Sequence, residues 1–208
     1  MARVVLLHGF NKDETDMEFM GSVLAAHGFE VFAPRMPTTF SGLDSSVAVL
    51  TEFIREHLGD KRFSIVAHSM GGLIARRYIH THTQTHNNVD KCVFIGTPHA
   101  GTRLADIAVR LPLYPEIYKG ITDLTSDIEF YDLSDSDLKL FAVIGSKNDG
   151  ILGKLFLSSD SDGRVEVSSA LPPDVEQYRI LNYNHSEIHH QTETAELVCS
   201  FLQGGSLA

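Results

Sequence analysis

One serine in this chain stands where its hydroxyl could act as a nucleophile. Ser69 lies in Val66-Ala67-His68-Ser69-Met70-Gly71-Gly72, between an apolar β-rich run and a helical run. Small residues sit two positions before and after it. A backbone that turns sharply from strand into helix doubles back on itself, and any larger side chain there would collide with the adjoining elements. The chemistry implied is acyl transfer. That chemistry also needs a general base, an acid that orients the base, and donors for a developing oxyanion.

The chain offers each of these in a loop after a strand-like run. Met70 opens the helix after Ser69, so its backbone N–H and the helix dipole face the site of negative charge. A second donor is expected after the first strand, in Leu7-His8-Gly9-Phe10, and is assigned to the Phe10 amide. His8 reads as a side chain that pins this loop by hydrogen bonds. His68 reads as structural, because adjacent side chains on such a turn point apart. Among 11 histidines, His185 is the expected base, since Asn184-His185-Ser186-Glu187 comes just after the strand-like Tyr178 to Leu181, in a loop at the active edge. His189 and His190 open the last helix and are expected to face solvent. His80, His82 and His86 cluster, but no carboxylate or cysteine accompanies them and they end a helix at the edge away from Ser69. No metal is expected. The acid has two candidates. Asp149 follows a strand directly, and Asp162 lies in Ser161-Asp162-Gly163-Arg164-Val165. Each precedes a glycine, so the one not used by the base should be a turn residue.

The elements that must position these residues follow from periodicity. Strand-like runs cover Arg3 to Leu7, Glu30 to Ala33, Arg62 to Ala67, Lys91 to Gly96, Leu138 to Gly145 and Tyr178 to Leu181. Several are apolar at nearly every position, as for strands covered on both faces. Helices are expected over Asp16 to His27, capped by Gly28, and over Asp44 to Leu58, Gly71 to His80 and Thr192 to Leu202. This alternation predicts an α/β fold with a mainly parallel sheet, whose strand C-terminal ends share one edge. Residues 102–137 break the alternation. Their spaced apolar side chains, from Leu104 and Ile107 to Tyr118 and Ile121, serve either the core or a cover over the site.

The 208 residues suit one domain. Lys and Arg total 17 and Asp and Glu 27, a net charge of −10. An acidic surface argues against nucleic acid, which needs clustered cations, and against anionic lipid. No run approaches a membrane span, and four apolar residues before His8 are too few for a signal peptide, so a cytoplasmic protein is expected. Cys92 and Cys199 read as small buried hydrophobes.

Together these residues resemble the α/β-hydrolase superfamily, and within it small lipase- and esterase-like members. The resemblance rests on His8-Gly9-Phe10, Ala67-His68-Ser69-Met70-Gly71-Gly72, Gly96-Thr97-Pro98-His99-Ala100-Gly101-Thr102, Asp162-Gly163-Arg164-Val165 with Ser168-Ser169-Ala170, and Asn184-His185. It implies a catalytic triad in the order Ser69, Asp162, His185, because the family's acid often lies in an Asp-Gly-x-Val segment some tens of residues before the histidine. It implies an oxyanion hole from Phe10 and Met70, no cofactor, and a small ester or acyl substrate. A thioesterase, amidase or acyltransferase would use the same triad, and a non-catalytic binding protein could share the scaffold. The chain starts at what corresponds to the family's third strand, so a compact sheet of about six strands is implied, with a loop from Asn148 to Asp160 leading to the acid.

Overall fold

In the computed structural model, residues 1–82, 88–134 and 137–205 are described. His86 lies outside them, as do two residues of the 102–137 segment. Six parallel strands form one sheet: β1 (Arg3–Leu7), β2 (Glu30–Phe32), β3 (Phe63–His68), β4 (Val89–Ile95), β5 (Lys139–Gly145) and β6 (Gln177–Leu181). Their spatial order is β2-β1-β3-β4-β5-β6. All six lie where the apolar runs predicted, within two residues at each end.

The continuous apolar runs are explained by two cores. Alternate residues of each strand enter opposite faces. Val5, Leu7, Ile65, Ala67, Phe94 and Ala142 pack on one face, and Val4, Leu6, Val66, Val93, Phe141 and Val143 on the other. The first face is covered by α2 (Leu43–His57) and α3 (Met70–His82), through Leu50, Ile54, Ile74 and Ile79. The second is covered by α1 (Glu18–Ala26) and α8 (Thr192–Gln203), through Met20, Leu24, Val198 and Phe201. Cys92 and Cys199 are both buried free thiols, one in each core. Lys91 on β4 donates its ammonium to the carbonyls of Phe201 and Leu202 at 2.9 and 2.8 Å, tying the C-terminal end of α8 to the sheet.

The start of α1 differs from expectation. Residues Glu14–Met17 form a 3-10 turn capped by Asp13, and the α-helix begins only at Glu18. Asp16 therefore sits inside the loop after β1 rather than on a helix.

Residues 102–137 are divided between core and surface. Within them lie α4 (Arg103–Ala108), α5 (Tyr114–Ile117) and a 3-10 turn, Lys119–Leu124. Ala105, Ile121 and Leu124 are buried in the core, whereas Leu113 and Ile117 remain more than half exposed. The loop expected from Asn148 to Asp160 contains an additional short helix, α6 (Ile151–Phe156). A last short helix, α7 (Val167–Ala170), follows the acid segment.

Order reversal between β1 and β3 matters most for function. The chain leaves β1 toward β2 on one side and returns to β3 on the other, so the loops after β1 and β3 separate at the C-terminal edge of the sheet. A crevice opens there.

Candidate active site

Ser69 sits at the tip of the turn between β3 and α3, with φ of +55°. That left-handed conformation is costly for a residue with a side chain and persists only where its surroundings over-determine it. Here they do. The Ser69 N–H donates to the Ile95 carbonyl at 2.9 Å, and Gly72 N–H donates to the Ser69 carbonyl at 3.0 Å. The glycines are needed for contact rather than freedom. A Cβ on Gly71 would lie 2.5 Å from the Leu7 carbonyl oxygen, and one on Gly9 would lie 2.9 Å from the Ser69 Cβ.

His185 lies beyond β6, in the loop where the sequence put it. Its Nε2 is 3.0 Å from Ser69 Oγ and its Nδ1 is 2.7 Å from Asp162 Oδ2. Asp162 is almost completely buried. A carboxylate can only accept, so Nδ1 carries the proton and Nε2 presents a lone pair to the serine hydroxyl. The other carboxylate oxygen, Oδ1, accepts from the Arg164 and Val165 amides at 2.9 and 2.8 Å. The His185 N–H donates to the Asp162 carbonyl at 2.9 Å, which fixes base against acid through the backbone as well.

Asp149 is elsewhere. It is exposed and faces Lys147 and the Asn184 amide. The expectation that the unused aspartate forms the turn is reversed. Gly150 has an ordinary φ of −76° and precedes α6, so Asp149-Gly150 is no Asp-Gly turn. The turn is at Asp162-Gly163, where Gly163 has φ of +88° and the Asp162 side chain caps the two following amides. One residue thus both shapes its turn and holds the histidine. Gly145, at the end of β5, makes room for it, since a Cβ there would lie 2.7 Å from the Asp162 Cβ.

The loop after β1 packs Gly9 against Ser69, and Phe10, the next residue, lines the same cavity. Among the described residues neither the Phe10 nor the Met70 N–H has an acceptor. His8 pins the loop as its position suggested. Its Nε2 accepts from the Met36 N–H at 3.0 Å, so its Nδ1 donates to the Gly9 carbonyl at 3.0 Å. Burial pushes the His8 imidazole below its usual range and keeps it in that neutral tautomer. His68 is also structural. Its Nε2 donates to the His185 carbonyl at 3.0 Å.

His190 is exposed, as expected at the start of the last helix, but His189 is fully buried. It precedes α8 in a 3-10 turn, Ile188–His190, whose tight pitch directs its ring inward against His68 at a centroid distance of 3.7 Å. Nothing in local spacing signals this, because a single turn has no periodicity to read.

A cavity of about 500 Å³ opens over Ser69 and His185. Its apolar wall comes from Leu104, Ala108, Tyr114 and Ile121 on one side, and from Ile151 and Leu152 of α6 on the other. The α6 contribution was missed in the sequence, since six residues are too few to show a period. Among the described residues, no helix is long and apolar enough to cross a membrane.

Known structures share this architecture. The mature form of a Bacillus licheniformis lipase superposes with a TM-score of 0.80 at 21% identity, covering 97% of this chain and 91% of that one. An esterase from Exiguobacterium antarcticum gives 0.67 at 15% identity, over 98% and 92% of the two chains. A carboxylesterase structure from Nitrososphaera gargenis gives 0.68 at 17% identity, over 97% and 90%. At such identities the likeness is one of fold. Comparison with curated protein sequences returned no match. A family model described as the alpha/beta hydrolase fold matches residues 2–121, more than half of the chain, and the chain belongs to that family.

Proposed function

We propose that this protein is a serine hydrolase that cleaves carboxylic esters through an acyl-enzyme. The reading is carried by the continuous contact from Ser69 Oγ through the His185 ring to Asp162, opening into an apolar cavity. His185 Nε2 takes the hydroxyl proton as Ser69 Oγ attacks the ester carbonyl carbon. The carbonyl oxygen, now negative, accepts from the Phe10 and Met70 amides. As the tetrahedral intermediate collapses, the carbon–alkoxide bond breaks and His185 returns its proton to the leaving alcohol. Water then gives a proton to His185 and attacks the acyl carbon, and the acid leaves Ser69 with its hydroxyl restored. Asp162 stays ionised and holds the imidazole in the productive tautomer. No cofactor enters the scheme. The apolar walls of the cavity suit the acyl group, and the polar end of the cavity is the serine itself.

Two measurements test this together. A fluorophosphonate probe should label the wild type and not Ser69→Ala, and Ser69→Ala should lose hydrolysis of nitrophenyl esters while keeping its melting temperature. Unlabelled wild-type protein, or an active Ser69→Ala variant, would remove Ser69 from the mechanism. Matched oxygen esters, thioesters and anilides, assayed side by side, separate an esterase from an enzyme built for another leaving group.

A further inference from the structure

We propose that Asp16, His68 and His189 form a binding site for one divalent transition-metal ion of the zinc class. The three residues come from the loop after β1, the end of β3 and the turn before α8. All three side chains are at least nine-tenths buried. Their ligand atoms lie within 4.8 Å of one another. Imidazole with carboxylate is a donor set that suits zinc and its neighbours rather than calcium or magnesium.

Hydrogen-bond accounting points to a cation. Asp16 Oδ1 accepts from the Lys12 ammonium at 2.9 Å, but among the described residues Oδ2 has no hydrogen-bond partner. It is 3.0 Å from His189 Nε2, yet outside the angles at which that nitrogen could donate to it. Oδ2 is also 3.7 Å from His68 Nδ1. His68 Nε2 carries a proton, because its partner is the His185 carbonyl, which can only accept. The neutral ring then turns a lone pair at Nδ1 toward the Asp16 carboxylate. Two acceptors facing each other in a buried site need something positive between them. His189 adds to the mismatch, with both ring nitrogens buried and without a hydrogen bond among the described residues.

The distances fit. Two donor atoms bound at about 2.0–2.1 Å in tetrahedral geometry lie roughly 3.3–3.4 Å apart. The two N···O separations, 3.0 and 3.7 Å, bracket that value. An ion would enter from a polar cavity of about 590 Å³, whose wall includes Lys12, Asp16 and His190, and water there would supply a fourth ligand. The site adjoins the proposed chemistry, since His68 precedes Ser69 and also lines the cavity over it, but the ion takes no part in the acyl transfer. Metal on His68 Nδ1 would strengthen the Nε2–H donor to the His185 carbonyl, and so brace the loop that carries His185. The expectation of no metal rested on His80, His82 and His86. This site uses none of them.

The test uses purified full-length protein, stripped with chelator and titrated with zinc chloride in a calorimeter. The wild type should bind one zinc per chain and melt higher with zinc present. Asp16→Asn and His189→Gln should each weaken binding by at least the ~10–100-fold that loss of an outer-shell partner costs a metal site. The His80→Gln/His82→Gln double variant should bind as the wild type does. Cobalt(II) on the wild type should give the visible absorption of a tetrahedral site, a readout that needs no variant to fold. Wild type that binds no zinc and shows no cobalt band overturns the proposal. So does unchanged affinity in a folded Asp16→Asn variant, which would move the ion to surface histidines. Zinc binding is independent of Ser69, so Ser69→Ala should retain it whether or not the hydrolase reading stands.

Discussion

Gly71→Ala is the sharpest test of how the site is built. The added Cβ would lie 2.5 Å from the Leu7 carbonyl oxygen, 2.8 Å from that of His8 and 2.9 Å from the Leu7 carbonyl carbon. All three are backbone atoms and cannot rotate away. Nor can β1 drift freely, because Leu7 is registered against Ala67 of β3. Ordinary contact begins at 3.4 Å, so the start of α3 and the end of β1 must separate by about 0.9 Å (3.4 − 2.5). Overpacking of this kind costs ~1–3 kcal/mol, or roughly 2–12 °C in Tm for a domain of this size. The larger consequence falls on geometry. The elements forced apart carry Ser69 and Met70 on one side and Phe10 on the other, the proposed nucleophile and oxyanion donors. A misplacement approaching 1 Å at a reacting centre can cost on the order of 10²-fold in rate. Steady-state kinetics on a nitrophenyl ester should therefore show kcat falling about 10²-fold, with KM changing far less. Gly150→Ala is the control, because Gly150 has an ordinary φ and open space where its Cβ would go. If Gly71→Ala matches the wild type in both Tm and kcat, the crowding argument is wrong.

Two further outcomes follow from the same geometry. Asp162→Asn should lower kcat by roughly the 10⁴-fold seen when a triad acid becomes an amide, while Asp149→Asn should stay within about twofold; the reverse order would reassign the acid. Among the described residues His99 is buried with no hydrogen-bond partner on either ring nitrogen, and burial, with the nearby Arg76 guanidinium, holds it well below the usual histidine range. The unfolded chain then binds a proton below about pH 6.5 that the folded chain refuses. His99 should thus cost no stability above that pH and remove up to ~1.4 kcal/mol per pH unit below it. Urea midpoints between pH 7.5 and 5.5 should fall less steeply in His99→Gln, and an identical slope would exclude His99 as a source of acid sensitivity.

How much could be read in the sequence depended on whether a residue belonged to a repeating pattern. Strands β1, β3, β4 and β5 were legible because burial on both faces makes nearly every position apolar, whereas the partly exposed edge strands β2 and β6 were legible only as short β-rich runs between helical segments. Ser69, Phe10 and His185 could be named as candidates because each falls within four residues of the end of a strand-like run. Asp162 was harder. It does not end a strand, and β5 itself pointed to Asp149. What admits Asp162 is the missing side chain at Gly145, a packing fact that spacing does not encode. Helix α6 and the inward turn of His189 were illegible for a related reason. Both are single turns whose environment is set by distant segments. Asp16, His68 and His189 share no spacing at all, and only the sheet order brings their three loops together.

The glycines around Ser69 join fold and proposed chemistry in one constraint. Close packing of Gly9 on the Ser69 Cβ and of Gly71 on the Leu7 carbonyl leaves no slack between the loop after β1 and the turn after β3. That tightness holds Ser69 at a φ of +55°, which an isolated chain would leave. It also fixes the two segments that carry the proposed oxyanion donors, the Phe10 amide one residue past Gly9 and the Met70 amide one residue past Ser69, neither engaged by a protein acceptor among the described residues. An oxyanion site needs donors fixed before charge develops, because donors that must reorient lose most of their effect. Loosening either glycine contact would relax the serine and free the donors together. Strain and preorganisation at this turn are therefore one physical property, and no substitution at Gly9 or Gly71 should relieve the first while keeping the second.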